Sequence, residues 1–249
     1  MRRARKRRLL APADDRVERV FLGSSGDYSA SLLTKRHPQL AAVKAQFLSE
    51  WRKSVATGGR VLVQRVYAVR NPPQIYERFR AHSRAVGNVQ HLFHGTQQAE
   101  GCGFGSDLGA APCDARDCRL CNILRTSFSL RHAGSVAARP AANQRYGAGL
   151  YFSACSGKAN DYASDRVLHG KVWGAIFLCK VAVGTSYETE DDFTLDGFPA
   201  AADGAGELPP PGFDSVCGVV GRRLNYPETV VYDERACVPS FLVIYTTAD

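Results

Sequence analysis

The residues able to do chemistry fall into three separated stretches and one cysteine cluster. His94-Gly95-Thr96 ends an apolar run. Tyr146-Gly147-Ala148-Gly149-Leu150-Tyr151-Phe152 brackets a small residue with two glycines and runs on into an aromatic segment, and Tyr162 follows eleven residues after Tyr151. Asn225-Tyr226-Pro227-Glu228-Thr229-Val230-Val231-Tyr232 carries an acid at the head of a β-branched run. Glycine lets the backbone turn tightly and lets a ligand come close to it. A carboxylate, a histidine and two tyrosines beside such turns suit a reaction at a sugar's anomeric carbon. Departure of a leaving group there creates an oxocarbenium-like centre, which a carboxylate stabilises or orients. Tyrosine rings offer flat faces to an aromatic leaving group. Taken singly, each residue is ordinary: a lone histidine or tyrosine is more often part of a core.

Cys102, Cys113, Cys118 and Cys121 follow the pattern C-x10-C-x4-C-x2-C. A Cys-x-x-Cys knuckle with two further thiols can surround a zinc ion tetrahedrally. His91 or His132 could replace one of the four. Cys155, Cys179, Cys217 and Cys237 are scattered through strand-like segments and read as core residues.

The elements that must position these residues follow from periodicity. Leu40, Val43, Phe47, Leu48 and Trp51 lie at helical spacing within 40–54. Residues 60–69 alternate as a strand, and Asn71-Pro72-Pro73 stops it and starts a helix that runs to about Val86. Residues 89–96 form a second strand ending in the His94 loop. The segment 100–122 is glycine-rich, weakly apolar and holds the four cysteines; 123–131 alternates apolar and polar residues; 133–144 is a loop of small residues. A strand at Tyr151 and a helix bearing Tyr162 come next. Residues 171–183 read as a long strand and 185–212, with three consecutive prolines, as a long surface loop. Strands at Val230-Val231-Tyr232 and 241–245 close the chain. The pattern is α+β with an antiparallel-leaning sheet.

Of the 249 residues, 45% are hydrophobic and 22% charged, the profile of a soluble globular protein. No apolar run approaches the roughly 20 residues that cross a bilayer, and the basic start is not followed by a secretory apolar stretch. The expectation is an intracellular protein, nuclear or cytoplasmic, with no membrane partner. Its eight cysteines then read as thiols or metal ligands rather than disulfides. The net charge of +8 is uneven: Arg2, Arg3, Arg5, Lys6, Arg7 and Arg8 carry most of it. This places a basic, disordered arm over 1–20, serving as a solvated tail, a nuclear-import signal or a nucleic-acid grip, and a single folded domain over 21–249.

Read together and in order, the three stretches resemble the catalytic domain of the poly(ADP-ribose) polymerase family, the diphtheria-toxin-like ADP-ribosyltransferases. Arg65-Val66-Tyr67-Ala68-Val69-Arg70-Asn71-Pro72 is similar to that family's first strand, and the likeness runs from about Arg60 to Tyr245. The resemblance implies two packed, mainly antiparallel sheets with flanking helices, with 100–122 as a cysteine-rich insertion. It implies NAD⁺ as substrate and a His94–Tyr151–Glu228 triad. His94 would bond the adenosine-proximal ribose and Gly95, followed by Thr96, the nicotinamide carboxamide. Tyr151 and Tyr162 would sandwich the nicotinamide ring, with Gly149 and Phe152 flanking. Glu228 would bond the nicotinamide-ribose hydroxyl. The implied activity is mono-ADP-ribosylation of a protein acceptor or of the chain itself. Hydrolysis of NAD⁺, modification of nucleic-acid ends and a catalytically dead NAD⁺- or ADP-ribose-binding module are the alternatives. One departure stands out. Where the family has a carboxamide-binding serine, this chain has Ala159, with Ser153 and Ser156 as the nearby hydroxyls that could substitute.

Overall fold

The computed structural model describes residues 9–10, 16–22, 28–53, 60–132, 144–163, 165–193 and 208–248. The basic cluster Arg2–Arg8, residues 133–143 of the expected loop over 133–144 and much of the loop over 185–212 lie outside them.

Alternation of apolar side chains builds the larger sheet. In β8 (Lys171–Ala182), Ala175, Phe177 and Cys179 enter one core and Ile176 and Leu178 another. In β12 (Cys237–Ala248), Leu242 and Ile244 enter the first core, and Phe241, Val243 and Tyr245 the second. A strand sends successive side chains to opposite faces, so a run apolar at every position lies where both faces are covered. β12 accordingly sits between β4 (Arg60–Arg70) and β8, antiparallel to both. Outward from β4 come β3 (Ser29–Leu33), β2 (Val17–Leu22) and β1 (Leu9–Leu10). Outward from β8 come β5 (Val89–Gly95) and, off the main path, β7 (Arg166–Leu168). The smaller sheet runs β6 (Leu150–Phe152), β11 (Glu228–Val231), β10 (Ser215–Gly218), β9 (Ser186–Thr189), and only its β9–β10 pair is parallel. The chain is therefore α+β with mostly antiparallel sheets. The sheets meet at a two-bond bridge: Phe93 N–H donates to Ser153 O (2.8 Å) and Ser153 N–H to Phe93 O (2.9 Å).

Helix α1 (Leu40–Ser49) covers the second core with Val43 and Phe47. It stops short of Trp51, and Leu48 faces solvent, so the expected apolar stripe is narrower than its sequence. Helix α2 (Pro73–Val86) opens on a proline and closes at Gly87, whose φ of +75° suits glycine. Helix α3 (Arg119–Thr126) replaces the expected alternation at 123–131. Leu120, Cys121 and Leu124 are its buried face, a helical spacing once cysteine is counted as apolar. Helix α4 (Ser156–Asn160) ends before Tyr162, which lies in the turn just beyond; the expected helix is shorter than drawn.

Two further boundaries differ from expectation. β2 crosses the border drawn at residue 20 and β1 pairs onto it through Leu9↔Phe21, so the folded part begins earlier than the composition suggests. β9 lies inside the expected loop over 185–212; its polar sequence, Ser-Tyr-Glu-Thr, hides a strand that is held by pairing with β10.

The cysteine-rich segment is not an appendage. Phe104, Leu120, Cys121 and Leu124 belong to the first core with Phe21, Tyr67 and Phe177. The Phe104 ring meets Phe21 at 5.4 Å and Tyr67 at 5.1 Å. Gly105, at φ +90°, lies on Ile244, where an added Cβ would come within 2.5 Å of Ile244 Cδ1. Arg65 donates to the carbonyls of Gly105 and Ser106, and Arg166 to that of Cys102.

Candidate active site and thiol cage

A cavity of about 640 Å³ opens at the seam between the two sheets, within the size range of small-molecule sites. All eight residues expected to bind ligand border it: His94, Gly95, Thr96, Gly149, Tyr151, Phe152, Tyr162 and Glu228. They come from β5, β6, β11 and the turns after β5, before β6 and after α4.

His94 ends β5. Its Nδ1 lies 2.8 Å from the carbonyl of Tyr151. A carbonyl only accepts, so Nδ1 carries the proton and Nε2 is left as an acceptor. Burial lowers the imidazole pKa more than this hydrogen bond raises it, which favours the neutral ring. Phe128 and Phe152 hold the ring at centroid distances of 5.0 and 5.5 Å. Gly95 follows because nothing larger fits: a Cβ there would stand 1.8 Å from the carbonyl oxygen of Ala159. That close approach seats α4 on β5.

Tyr151 is fixed by the glycine turn preceding it. Its hydroxyl accepts from Tyr146 N–H (3.0 Å) and donates to Gly147 O (2.8 Å). Burial raises its pKa, so the phenol stays protonated. Gly149 permits the turn to press onto β11, since a Cβ there would meet Val230 Cγ1 at 2.3 Å. Antiparallel pairing sets Tyr151 opposite Val230 and Phe152 opposite Thr229, which brings Glu228 level with Ser153, at the end of β6 away from the glycine turn. Ser153 tightens this junction: its hydroxyl donates to Pro227 O (2.8 Å), one residue before the acid.

Glu228 is 5% exposed. Its Oε1 receives the Lys158 ammonium at 3.1 Å and the Tyr162 hydroxyl at 3.4 Å. The ammonium also lies 5.5 Å from the centre of the Tyr162 ring. Burial alone would lower the Lys158 pKa. The charge of Glu228, with smaller help from Tyr162 and Asp161, outweighs burial and leaves it raised. Burial, reinforced by Glu228, raises the Tyr162 pKa. The site thus holds an ionised lysine, two neutral tyrosines and a neutral histidine around one carboxylate.

Lys158 was not among the expected site residues. Its partner is 70 positions away in the chain, so no local spacing announces it. Ser127 was missed as well. It caps the end of α3 at φ +63°, borders the cavity, is buried, and its hydroxyl has no protein partner. Conversely, neither serine expected to stand in at Ala159 is available. Ser153 holds Pro227, and the Ser156 hydroxyl donates to Phe47 O at 2.7 Å from a fully buried position.

Cys102, Cys113, Cys118 and Cys121 converge, with their four sulfurs within 4.8 Å of one another. Cys102 and Cys121 Sγ are 3.6 Å apart, far beyond a disulfide bond. A tetrahedral zinc with Zn–S near 2.3 Å would space its sulfurs by roughly 3.8 Å. Hydrogen bonds from Cys118 and Cys121 pull the Cys102 thiol down in pKa and push its two neighbours up, as expected of thiols competing for one negative charge. His91 and His132 are not members of the group. None of the eight cysteines, all among the described residues, is in a disulfide; Cys155, Cys179 and Cys237 are core residues, and Cys217 is partly buried. Among the described residues no helix is long and apolar enough to cross a membrane.

Neither the protein-family models nor the curated protein sequences contain a match to this chain.

Proposed function

We propose that this chain is an NAD⁺-dependent ADP-ribosyltransferase that transfers a single ADP-ribose to protein side chains and releases nicotinamide. The observation that carries the reading is the buried Glu228 carboxylate, paired to Lys158 and facing Tyr162, in one cavity with His94 and Tyr151. Both recorded contacts fall on Oε1, which leaves Oε2 for a hydroxyl of the nicotinamide ribose. As the bond from C1′ to the nicotinamide nitrogen breaks, its electron pair leaves with the neutral nicotinamide. Positive charge grows on the ribose, and the fixed carboxylate stabilises it more in the transition state than in the ground state. The acceptor's lone pair then forms the new bond to C1′ and its proton departs to solvent. Lys158 orients the carboxylate through its ion pair with Oε1. The neutral His94, with Nε2 accepting, suits a ribose hydroxyl.

Ala159 removes one carboxamide hydrogen bond from this scheme, and Ser153 and Ser156 do not restore it. The thiol cage is assigned to a structural zinc. Its donors fit the ion in type, number and spacing, and none of the four cysteines borders the cavity.

The test is incubation with NAD⁺ labelled in the adenylate phosphate, followed by separation of protein, nucleic acid and free ADP-ribose. Label on protein as single units supports the proposal. Label only in free ADP-ribose assigns a glycohydrolase, label on nucleic acid assigns that acceptor, and intact NAD⁺ assigns a binding module.

A further inference from the structure

We propose that the four-thiol cage is a metal centre that fixes the far wall of the cavity, so that metal occupancy and dinucleotide affinity are coupled. The inference rests on the dinucleotide reading of that cavity. Helix α3 starts inside the cage, with Cys118 as its N-cap and Cys121 in its first turn. Its eight residues are too few to hold a helix unaided. One face, Leu120, Cys121 and Leu124, is buried in the core. The other, with Arg119, Asn122, Ile123 and Thr126, borders the cavity.

At its far end α3 passes through Ser127 into Phe128, whose ring packs edge-on against His94 at 5.0 Å. The helix is thus a rod of roughly 12 Å running from the thiols to the histidine. Its two ends are held differently. Beyond the C-terminal end, the Glu234 carboxylate accepts from the Ser129 hydroxyl (2.8 Å) and from Leu130 N–H (2.7 Å). Along the helix, Asn122 and Arg125 clip it to the cage's own loop, through Arg116 O (2.8 Å), Cys113 O (2.7 Å) and Asp114 (2.8 Å), and in its first turn Leu120 N–H donates to Gln97 O (3.1 Å), two residues beyond β5. Loop and helix form one unit, and beside the core packing of Leu120 and Leu124 and the Gln97 bond the cage adds a tie from that unit to Cys102, whose carbonyl accepts from Arg166 of β7. A bound cation neutralises the thiolates and closes this tie.

The Glu228 end of the cavity is built without it: β6, β11 and α4 contribute Tyr151, Glu228, Lys158 and Ala159, and Tyr162 follows directly on α4. Loss of metal should therefore release the α3 wall and spare the nicotinamide end. The part of the ligand held against α3 is the part remote from Glu228.

The experiment uses the full chain carrying Glu228→Gln, so that NAD⁺ survives the titration. Zinc content is measured, and affinities for NAD⁺ and for 3-aminobenzamide are compared in zinc-loaded, chelator-stripped and zinc-restored protein. NAD⁺ affinity should fall about tenfold or more on stripping and return with zinc, within the usual range of coupling between sites. Benzamide affinity should change by less than about threefold. Equal NAD⁺ affinity in loaded and stripped protein, or no stoichiometric zinc uptake, overturns the coupling. Stripped protein that fails to fold is bypassed by the reciprocal measurement on the loaded form. Saturating NAD⁺ must strengthen zinc retention against a competing chelator by the same factor, and unchanged retention overturns the coupling. Zinc-loaded protein that binds benzamide but not NAD⁺ sinks the dinucleotide reading itself.

Discussion

At the scale of single residues, burial favours the neutral forms of His94, Tyr151 and Tyr162, and the charge of Glu228 holds Lys158 protonated against burial. Glu228→Gln retains the shape and one acceptor oxygen but removes the charge that faces C1′ in the proposed reaction. Its expected effect is a fall in kcat of about 10²-fold or more, the scale of losing one preorganised electrostatic contact, with NAD⁺ affinity within about threefold of the parent. Single-turnover kinetics beside calorimetry check it, and near-normal transfer removes Glu228 from the mechanism. His94 gives a pH prediction with a definite sign. Its pKa is lowered in the folded protein, so the unfolded chain binds the proton more readily. The stabilisation it confers is whole above the unfolded value of about 6.5 and is lost as pH falls from there through the folded pKa. An NMR titration of the ring should therefore find its midpoint below that of a free histidine. His94→Gln should flatten this part of the stability profile. The triad positions were legible because each sits beside a glycine or proline in a patterned run. Lys158 was not, because only the fold, by bringing α4 to the head of β11, sets it on Glu228.

At the scale of elements, close packing of α4 on β5 positions the lysine and Tyr162. Gly95→Ala places a methyl group 1.8 Å from the Ala159 carbonyl, so α4 must move away from the strand. Overpacking of this kind costs about 1–3 kcal/mol. The variant should melt at a lower temperature and bind 3-aminobenzamide more weakly, whereas an unchanged affinity would show that α4 does not set the pocket. Ala159→Ser works in the opposite direction. It returns a hydroxyl where neither Ser153 nor Ser156 can supply one. Benzamide affinity should rise by about two- to tenfold, the net worth of one hydrogen bond; no gain would place the carboxamide elsewhere. Long elements such as β4 and β8 were legible because their apolar patterns persist, whereas of β12 only the apolar centre, 241–245, was read and its flanks were not. α3 was misread because its buried face alternates leucine with cysteine, and β9 because four polar residues become a strand only against β10.

For the whole molecule, charge and fold are separable. The arm carries six cations before the first described strand. β1 moves the border between arm and fold to residue 9, so the informative truncation removes 1–8 and keeps the Leu9↔Phe21 pair. Basal NAD⁺ cleavage should be unchanged by it. Affinity for a polyanion should drop, and its log–log salt slope should shrink by up to about 5, as six phosphate contacts would require. A large loss of basal turnover would assign 1–8 to the fold. The α+β class was legible from composition and element order. The embedding of the cysteine segment in the first core was not, since its glycines and small residues resemble a surface loop until Phe104 and Leu120 are seen to point inward.

The central position of β12 also sets an order in time. β4 is synthesised early and β8 later, yet each must wait for β12 before its inner edge is paired. Until residues 237–248 emerge, the nascent chain carries two long apolar strand edges with nothing between them, the kind of surface on which chains associate wrongly. Closing a sheet through partners so distant in sequence is slow. A fragment ending before Cys237 should therefore sediment as aggregate rather than persist as a smaller, partly active domain, and recovery of active protein on refolding should decline steeply with concentration.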